Sequence, residues 1–225
     1  MHSEPPQLSS LILAVDTSGP AGTVALARLA PDSFQLLGQR ELEGRSYTAT
    51  LISAIGELLA EAQSTVAQLH AIAVTSGPGS FTGVRVGLAT VKGLAEPAQT
   101  PVVAVSRLAV LAQQAGAASA ALDAHRHEVY LRIDERELLA GPTEFASLHP
   151  APARIAVCDD DAEALLREHL PAVELVRVEP PTASDLLAFA APLIRAGQFA
   201  DIVSLDGHYL RRSDAEIFGH PTPCA

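Results

Sequence analysis

The chain contains few side chains whose type and spacing could carry out a reaction. Two aspartates, Asp16 and Asp123, each close a short apolar run, LILAVD and AALD, and each is followed by a turn and an alternating segment. An aspartate at a strand end can hold a metal-bound phosphate when the next residues wrap it with backbone amides. The turns here, Asp16-Thr17-Ser18-Gly19-Pro20 and Asp123-Ala124-His125-Arg126-His127, both lack the Asp-x-Gly-Thr pattern that does this. Asp16, Thr17 and Ser18 are therefore weak cofactor-binding candidates. A strand-end aspartate satisfied by its own turn amides explains them equally well.

A second candidate is TSGPGSFTGVRVGLATVKGLA, Thr75 to Ala95. A Walker-type phosphate loop needs Gly-x4-Gly-Lys-Ser/Thr, and a dinucleotide turn needs Gly-x-Gly-x-x-Gly. Gly83 is followed by Val84-Arg85, and Gly77, Gly79 and Gly83 are spaced one residue too far apart. Both motifs fail. An anion could still dock at the helix start that follows, and a tight strand-to-helix turn explains the same glycines.

Other chemistries find little support. No His-x3-His or His-Glu-x2-His occurs, and His125 and His127 stand two apart on one turn, so no metal ligand set is assigned. Asp159, Asp160 and Asp161 precede a helix, where acids cap amides. No Gly-x-Ser-x-Gly elbow offers a nucleophile. No catalytic residue is assigned.

The surrounding elements follow from the hydrophobic pattern. Strands are expected at 11–16, 22–29 and 34–42, a helix from Thr48 to Ala62, and a strand at 70–76. A helix is expected to follow the glycine loop and stop at Glu96 before Pro97. Then come a strand at 101–105 and a helix at 107–115. The pattern begins again at 120–123 and 127–133, followed by a helix at 161–170, a strand at 173–178 and a helix at 184–197. This is an α/β chain with a repeated unit whose second copy thins out. It divides into a 1–105 half and a smaller 106–225 half ending in an extended tail.

The glycine-loop helix has an unusual circumference. Arg85, Ala89, Lys92 and Glu96 form one narrow polar stripe. Val84, Leu88, Val91 and Ala95 form an apolar stripe, and Gly83, Gly87, Thr90 and Leu94 a small-residue stripe beside it. A helix on a sheet needs one apolar face; this one offers two. The second face meets either the chain's own 48–62 helix or another protein chain.

The 225 residues carry a formal charge of −11 and are 48% hydrophobic. That is a globular composition, and its charge argues against a main nucleic-acid-binding surface. Two distant cysteines, Cys158 and Cys224, suggest neither a disulfide framework nor a zinc site. The polar start and the five-residue apolar run after it suggest no leader and no membrane span. A cytoplasmic location is expected.

Taken in order, ILAVDTS, TSGPGSFTGVRVGLATVKGLA, PVVAVS, the DA-x-x-x-EVY segment and YLRRSDAE resemble the bacterial TsaB family, also called YeaZ. The resemblance implies an actin/Hsp70-like fold of two ribonuclease-H-like βββαβα halves, the second reduced. It implies a non-catalytic subunit needed for threonylcarbamoylation of tRNA adenosine 37. Such a subunit binds and activates a TsaD-type paralogue, and Ser106 to Leu111 lacks that paralogue's metal-binding histidines. The implied interface is a helix bundle using Leu51, Ile52, Ile55, Leu59, Phe81, Gly83, Val86, Gly87, Thr90 and Leu94. Gly87→Leu is then expected to abolish association and leave the monomer folded. Further implied partners are the ATPase subunit of the complex, a second copy when the paralogue is absent, and tRNA indirectly. ATP belongs to the complex, with no cofactor on this chain. Where the family often has Arg-x-His-Ser/Thr, this chain has Arg45-Ser46-Tyr47-Thr48. The alternatives are an ATP-dependent phosphotransferase of the same superfold or a peptidase.

Overall fold

The computed structural model describes residues 10–42 and 47–211, with the side chains of 47–49 left aside. The Arg45–Thr48 variation, Cys224 and the tail beyond Arg211 thus lie outside the described residues.

β1 (Leu11–Asp16), β2 (Gly22–Leu29) and β3 (Phe34–Leu42) form an antiparallel meander with the boundaries that the pattern predicts. α1 (Tyr47–Glu61), β4 (Leu69–Gly77), α2 (Phe81–Ala98) and β5 (Val102–Ser106) complete the first unit. β1 pairs in parallel with β4, and β4 with β5, giving the order β3-β2-β1-β4-β5. α3 (Arg107–Gln114) leads into β6 (Ser119–Asp123), β7 (Val129–Ile133) and β8 (Arg136–Ala140). α4 (Pro142–Ala146), β9 (Arg154–Val157), α5 (Asp160–His169), β10 (Glu174–Arg177) and α6 (Ala183–Arg195) follow. The second sheet runs β10-β9-β6-β7-β8. Renumbered from β6, that is the first sheet's order read from its other edge. Each half is therefore a ribonuclease-H-like unit, and the pair makes an actin/Hsp70-like architecture.

The second copy is reduced in length and not in number. Its strands have four or five residues, and α4 has five where α1 has fifteen. The sequence reading passes over β8, α4 and β9 because stretches this short carry too few residues for a period to show.

α2 does not stop at Glu96. It runs through Pro97 to Ala98 and ends where Gln99 turns left-handed, with the Thr100 amide donating to the Ala95 carbonyl. Proline is tolerated there because it costs one hydrogen bond in the last turn, where the helix is already ending.

The layers follow from strand alternation. Leu11, Leu13 and Val15 face α1 and α2, together with Val24, Leu26, Ile72 and Val74. Ile12 and Ala14 face the other way, with Ala25, Ala27, Ala71 and Ala73, onto α6 and one side of α3. The small alanine face lets α6 sit close to the sheet. Leu108 and Leu111 on the other side of α3 meet the second sheet. α4 and α5 cover that sheet's far face. So α6, late in the chain, closes the core of the first sheet, and the Ala183 amide donates to Thr23 Oγ1 at 2.8 Å.

Candidate functional site

The Asp16 turn is bound up within the chain. Asp16 is 1% exposed. Its Oδ1 accepts from the Ser18 amide at 2.9 Å, Ser18 Oγ at 2.6 Å and Thr75 Oγ1 at 2.7 Å. Its Oδ2 lies 3.5 Å from Nε of the buried Arg107, whose guanidinium rests against Gly19. Thr17 Oγ1 donates to the Gly83 carbonyl at 2.6 Å. The weak candidates Asp16, Thr17 and Ser18 come together as an internal network that ties β1, β4, α2 and α3. Sequence reasoning missed Arg107 and Thr75. The available signal was Arg107 itself, the single charge in the otherwise apolar and amide-bearing helix RLAVLAQQ.

In the second half, Asp123 Oδ1 accepts from the His125 amide at 2.8 Å, and the Asp123 amide donates to Asp159 Oδ2. Asp159 also caps α5 by accepting from the Ala162 amide at 2.7 Å, which is the capping role its sequence suggests. Among the described residues, no three histidine, cysteine or acidic side chains are grouped to hold a metal. Cys158 is buried, and burial pushes its thiol up to about 11.

The start of α2 is likewise filled from within. Ser80 Oγ accepts from the Gly83 amide, and the Ser80 amide donates to the Ser18 carbonyl. A Cβ at Gly83 would overlap the Thr17 carbonyl oxygen, and one at Gly87 would overlap the Thr17 hydroxyl. These two glycines let the helix approach the β1–β2 turn. They do not face a second helix, so Gly83 and Gly87 are corrected from partner contacts to internal packing sites. The expectation that Gly87→Leu spares the monomer falls with them, because the added side chain would enter the Thr17 site. Leu51, Ile55 and Leu59 are also buried in the chain's own core, under α1. Their spacing is that of a core stripe, which sequence alone does not separate from an interface stripe.

The remaining interface candidates lie on the outer side of the helix pair. Ile52 is 53% exposed and Phe81 41%. Val86, Thr90 and Leu94 are half-buried along one ridge of α2. Gly56 on α1 and Gly93 on α2 open to free space, with no atom near where a Cβ would stand. α1 and α2 touch, and these exposed or half-buried residues are small or apolar. Phe81 is held at the start of α2: the Arg85 guanidinium lies 3.8 Å from the ring centroid, and Tyr209 packs against it at 5.1 Å.

No helix among the described residues is long and apolar enough to cross a membrane.

Comparison with known proteins agrees with this geometry. The family described as "TsaD: tRNA N6-adenosine threonylcarbamoyltransferase" matches residues 41–170, more than half of the chain. The tRNA threonylcarbamoyladenosine biosynthesis protein TsaB of Haemophilus influenzae is 39% identical over 132 residues, covering 56% of this chain and 54% of that protein. The chain thus spans about half the length of that relative. The Escherichia coli protein of the same name is 35% identical over 148 residues, 62% of each chain. An uncharacterized protein of Mycobacterium tuberculosis is 34% identical over 216 residues, covering 92% of this chain and 94% of that one. Among solved structures, YeaZ from Pseudomonas aeruginosa superposes with a TM-score of 0.71 at 32% identity, covering 89% of this chain and all of the other. Another crystal structure from that organism, described as similar to "peptidase YEAZ", gives 0.73 at 32% identity, covering 90% and 100%. With two matching halves, an internally bound Asp16 turn and full-length likeness to YeaZ, the chain belongs to the TsaB/YeaZ family.

Proposed function

We propose that this chain acts in tRNA threonylcarbamoyladenosine biosynthesis as a non-catalytic subunit that docks a TsaD-type paralogue through the outer face of α1 and α2. The TsaB relatives, which are tRNA threonylcarbamoyladenosine biosynthesis proteins, suggest the pathway. The carrying observation is the open surface of the helix pair: Ile52 stands exposed one turn before Gly56 on α1, and Gly56 and Gly93 each have open space above them. Small residues let another helix come close, and an exposed apolar side chain gains from being covered. The non-catalytic part rests on Asp16, whose Oδ1 already accepts three hydrogen bonds and whose Oδ2 faces Arg107. A phosphate or metal there would have to displace that network, which also counts against the phosphotransferase reading. Association with the ATPase subunit, self-association when the paralogue is absent, indirect contact with tRNA and ATP use by the whole complex belong to this same proposal, as does a cytoplasmic setting. So does the division into 1–105 and 106–225 halves.

The test is a titration of the purified chain with a TsaD-type protein, comparing wild type with Ile52→Glu and Val86→Arg. Burying a new unpaired charge at an interface should weaken binding by about tenfold or more. Ile52 is 53% exposed, so its variant should hardly move the melting temperature of the free chain, whereas Val86 also packs on the first core and its variant is compared at a temperature where the free chain stays folded. In a reconstituted modification assay the same variants should lower turnover, and excess variant should restore part of it. Unchanged affinity in both variants would remove the docking face from this surface.

A further inference from the structure

The segment from Ala196 to Arg211, which has no regular structure, runs across the opening between the two halves and touches both. The Ala200 amide donates to the Val102 carbonyl at the exposed edge of β5. Ile202 and Leu205 pack on the first core. The His208 amide donates to the Ser76 carbonyl at 2.7 Å, and Tyr209 packs on Phe81 of α2. Arg211 then reaches Glu128 and the His125 carbonyl in the second half. Under residues 208–211 lies a cleft of about 330 Å³, bordered by Pro78, Gly79, Phe81, Arg126 and Tyr130.

Besides Arg211, a second side-chain pair ties the strap to the second half. Glu137 on β8 is 5% exposed, and its Oε1 accepts from Ser106 Oγ at 2.6 Å and Arg132 Nη1 at 2.7 Å. Its Oε2 has no aligned hydrogen-bond donor, and His208 Nε2 lies 3.1 Å from it. A buried carboxylate oxygen with an imidazole as its remaining neighbour is satisfied by charge when that ring is protonated. It loses that compensation when the ring is neutral.

We propose that His208 and Glu137 form a protonation-dependent latch that holds the 200–211 strap across the inter-half cleft and releases it as His208 loses its proton.

The electrostatic surroundings support the geometry. Burial pushes Glu137 up, but the facing His208 ring and the hydrogen bonds from Ser106 and Arg132 outweigh it and hold the carboxyl below its ordinary value. The adjacent Glu137 carboxylate raises His208 above its ordinary value, against a smaller opposing effect of partial burial. The other charged groups around the pair are Arg132 on β7, Glu135 in the β7–β8 turn and Asp206 on the strap. On the cleft side they are Arg126, Tyr130, Glu128 and Arg211. His208 is the one histidine in this set. The raised His208 contributes stability that is complete below its unfolded value and is lost as pH rises through its folded one. The depressed Glu137 contributes stability that is present above its unfolded value and is lost as pH falls through its folded one. The latch is therefore closed between the lowered Glu137 value and the raised His208 value, and it opens on the alkaline side through His208.

The experiment uses the full chain. The His208 ring is titrated by NMR, and hydrogen exchange of the 200–211 amides is compared at pH 6 and pH 8 after correction for intrinsic rates. The titration should show a midpoint above the ordinary histidine value, and strap exchange should quicken by about threefold or more at pH 8 relative to the core strands. Glu137→Gln should lower the His208 midpoint and give pH 6 strap exchange like that of wild type at pH 8. Because Glu137 also holds Arg132, His208→Gln serves as the second variant. It alters only the strap side and should make strap exchange fast at both pH values with an unchanged core. A His208 midpoint at or below the ordinary value, or strap exchange that does not depend on pH in the wild type, would overturn the latch.

Discussion

At the residue scale, the deciding contacts are between glycine and threonine and between aspartate and arginine. Thr17 is enclosed by Gly83 and Gly87, so the added methyl of Gly87→Ala has to displace the Thr17 hydroxyl. Overpacking of this kind costs about 1–3 kcal/mol, and thermal unfolding followed by circular dichroism should show a clearly lower midpoint. Asp16 and Arg107 form a buried pair with side-chain exposures of 1% and 6%. Arg107→Leu should cost about 3–5 kcal/mol, because it leaves the Asp16 charge without its cation. Urea unfolding monitored on the same variant checks this, and a loss under about 1 kcal/mol would mean that the hydroxyl and amide donors suffice. Cys158 belongs at this scale too. With its thiol buried and pushed up to about 11, it should resist a thiol reagent at pH 8 in a Cys224→Ser background until the chain is unfolded.

At the element scale, α2 shows how one helix can carry two kinds of glycine. Gly87 faces Thr17, whereas Gly93 faces open space. Gly93→Ala relieves the conformational cost of glycine in a helix with nothing to collide with. It should stabilise the free chain by about 0.5–1 kcal/mol. If the outer face docks another helix, the same methyl should weaken that association, so stability and affinity move in opposite directions. Calorimetric melting of the free chain and titration with the TsaD-type protein, run on this one variant, separate the two effects. The stripe reading of α2 anticipated a helix buried on more than one side. It did not assign the second side, since the spacing of Gly83, Gly87, Thr90 and Leu94 is the same whether a turn or a partner lies above it.

At the scale of the whole molecule, the two halves exchange helices. α6 lays Leu186, Leu187, Ala190 and Ile194 on the alanine face of the first sheet, while α3 reaches from the first unit to the second sheet. One face of the first sheet therefore stays largely uncovered until the chain has been completed through Arg195. Leu187→Ala should cost about 2–5 kcal/mol, although the residue lies 81 positions beyond even the last strand of the sheet it covers, β5 ending at Ser106. A chain ended at residue 118 should fail to give a cooperative melting transition, and the full chain should melt as one unit.

The local pattern determined β1, β2 and β3 residue for residue, because short apolar runs bounded by turn residues mark both of their ends, and it placed α1, α2 and α6 to within a few residues. The ordered motifs fixed the family, and the repeated strand–Asp–turn–strand signal gave the paired halves. Only the tertiary structure decided which face α6 covers, that Leu51, Ile55 and Leu59 are core and not interface, that Gly83 and Gly87 receive Thr17, and that Arg107 meets Asp16. The reason is physical. Periodicity records that a side chain is covered, whereas the covering group comes from chain distances such as the 160 positions between Thr23 and Ala183. No local pattern of residues specifies a pairing across such a separation.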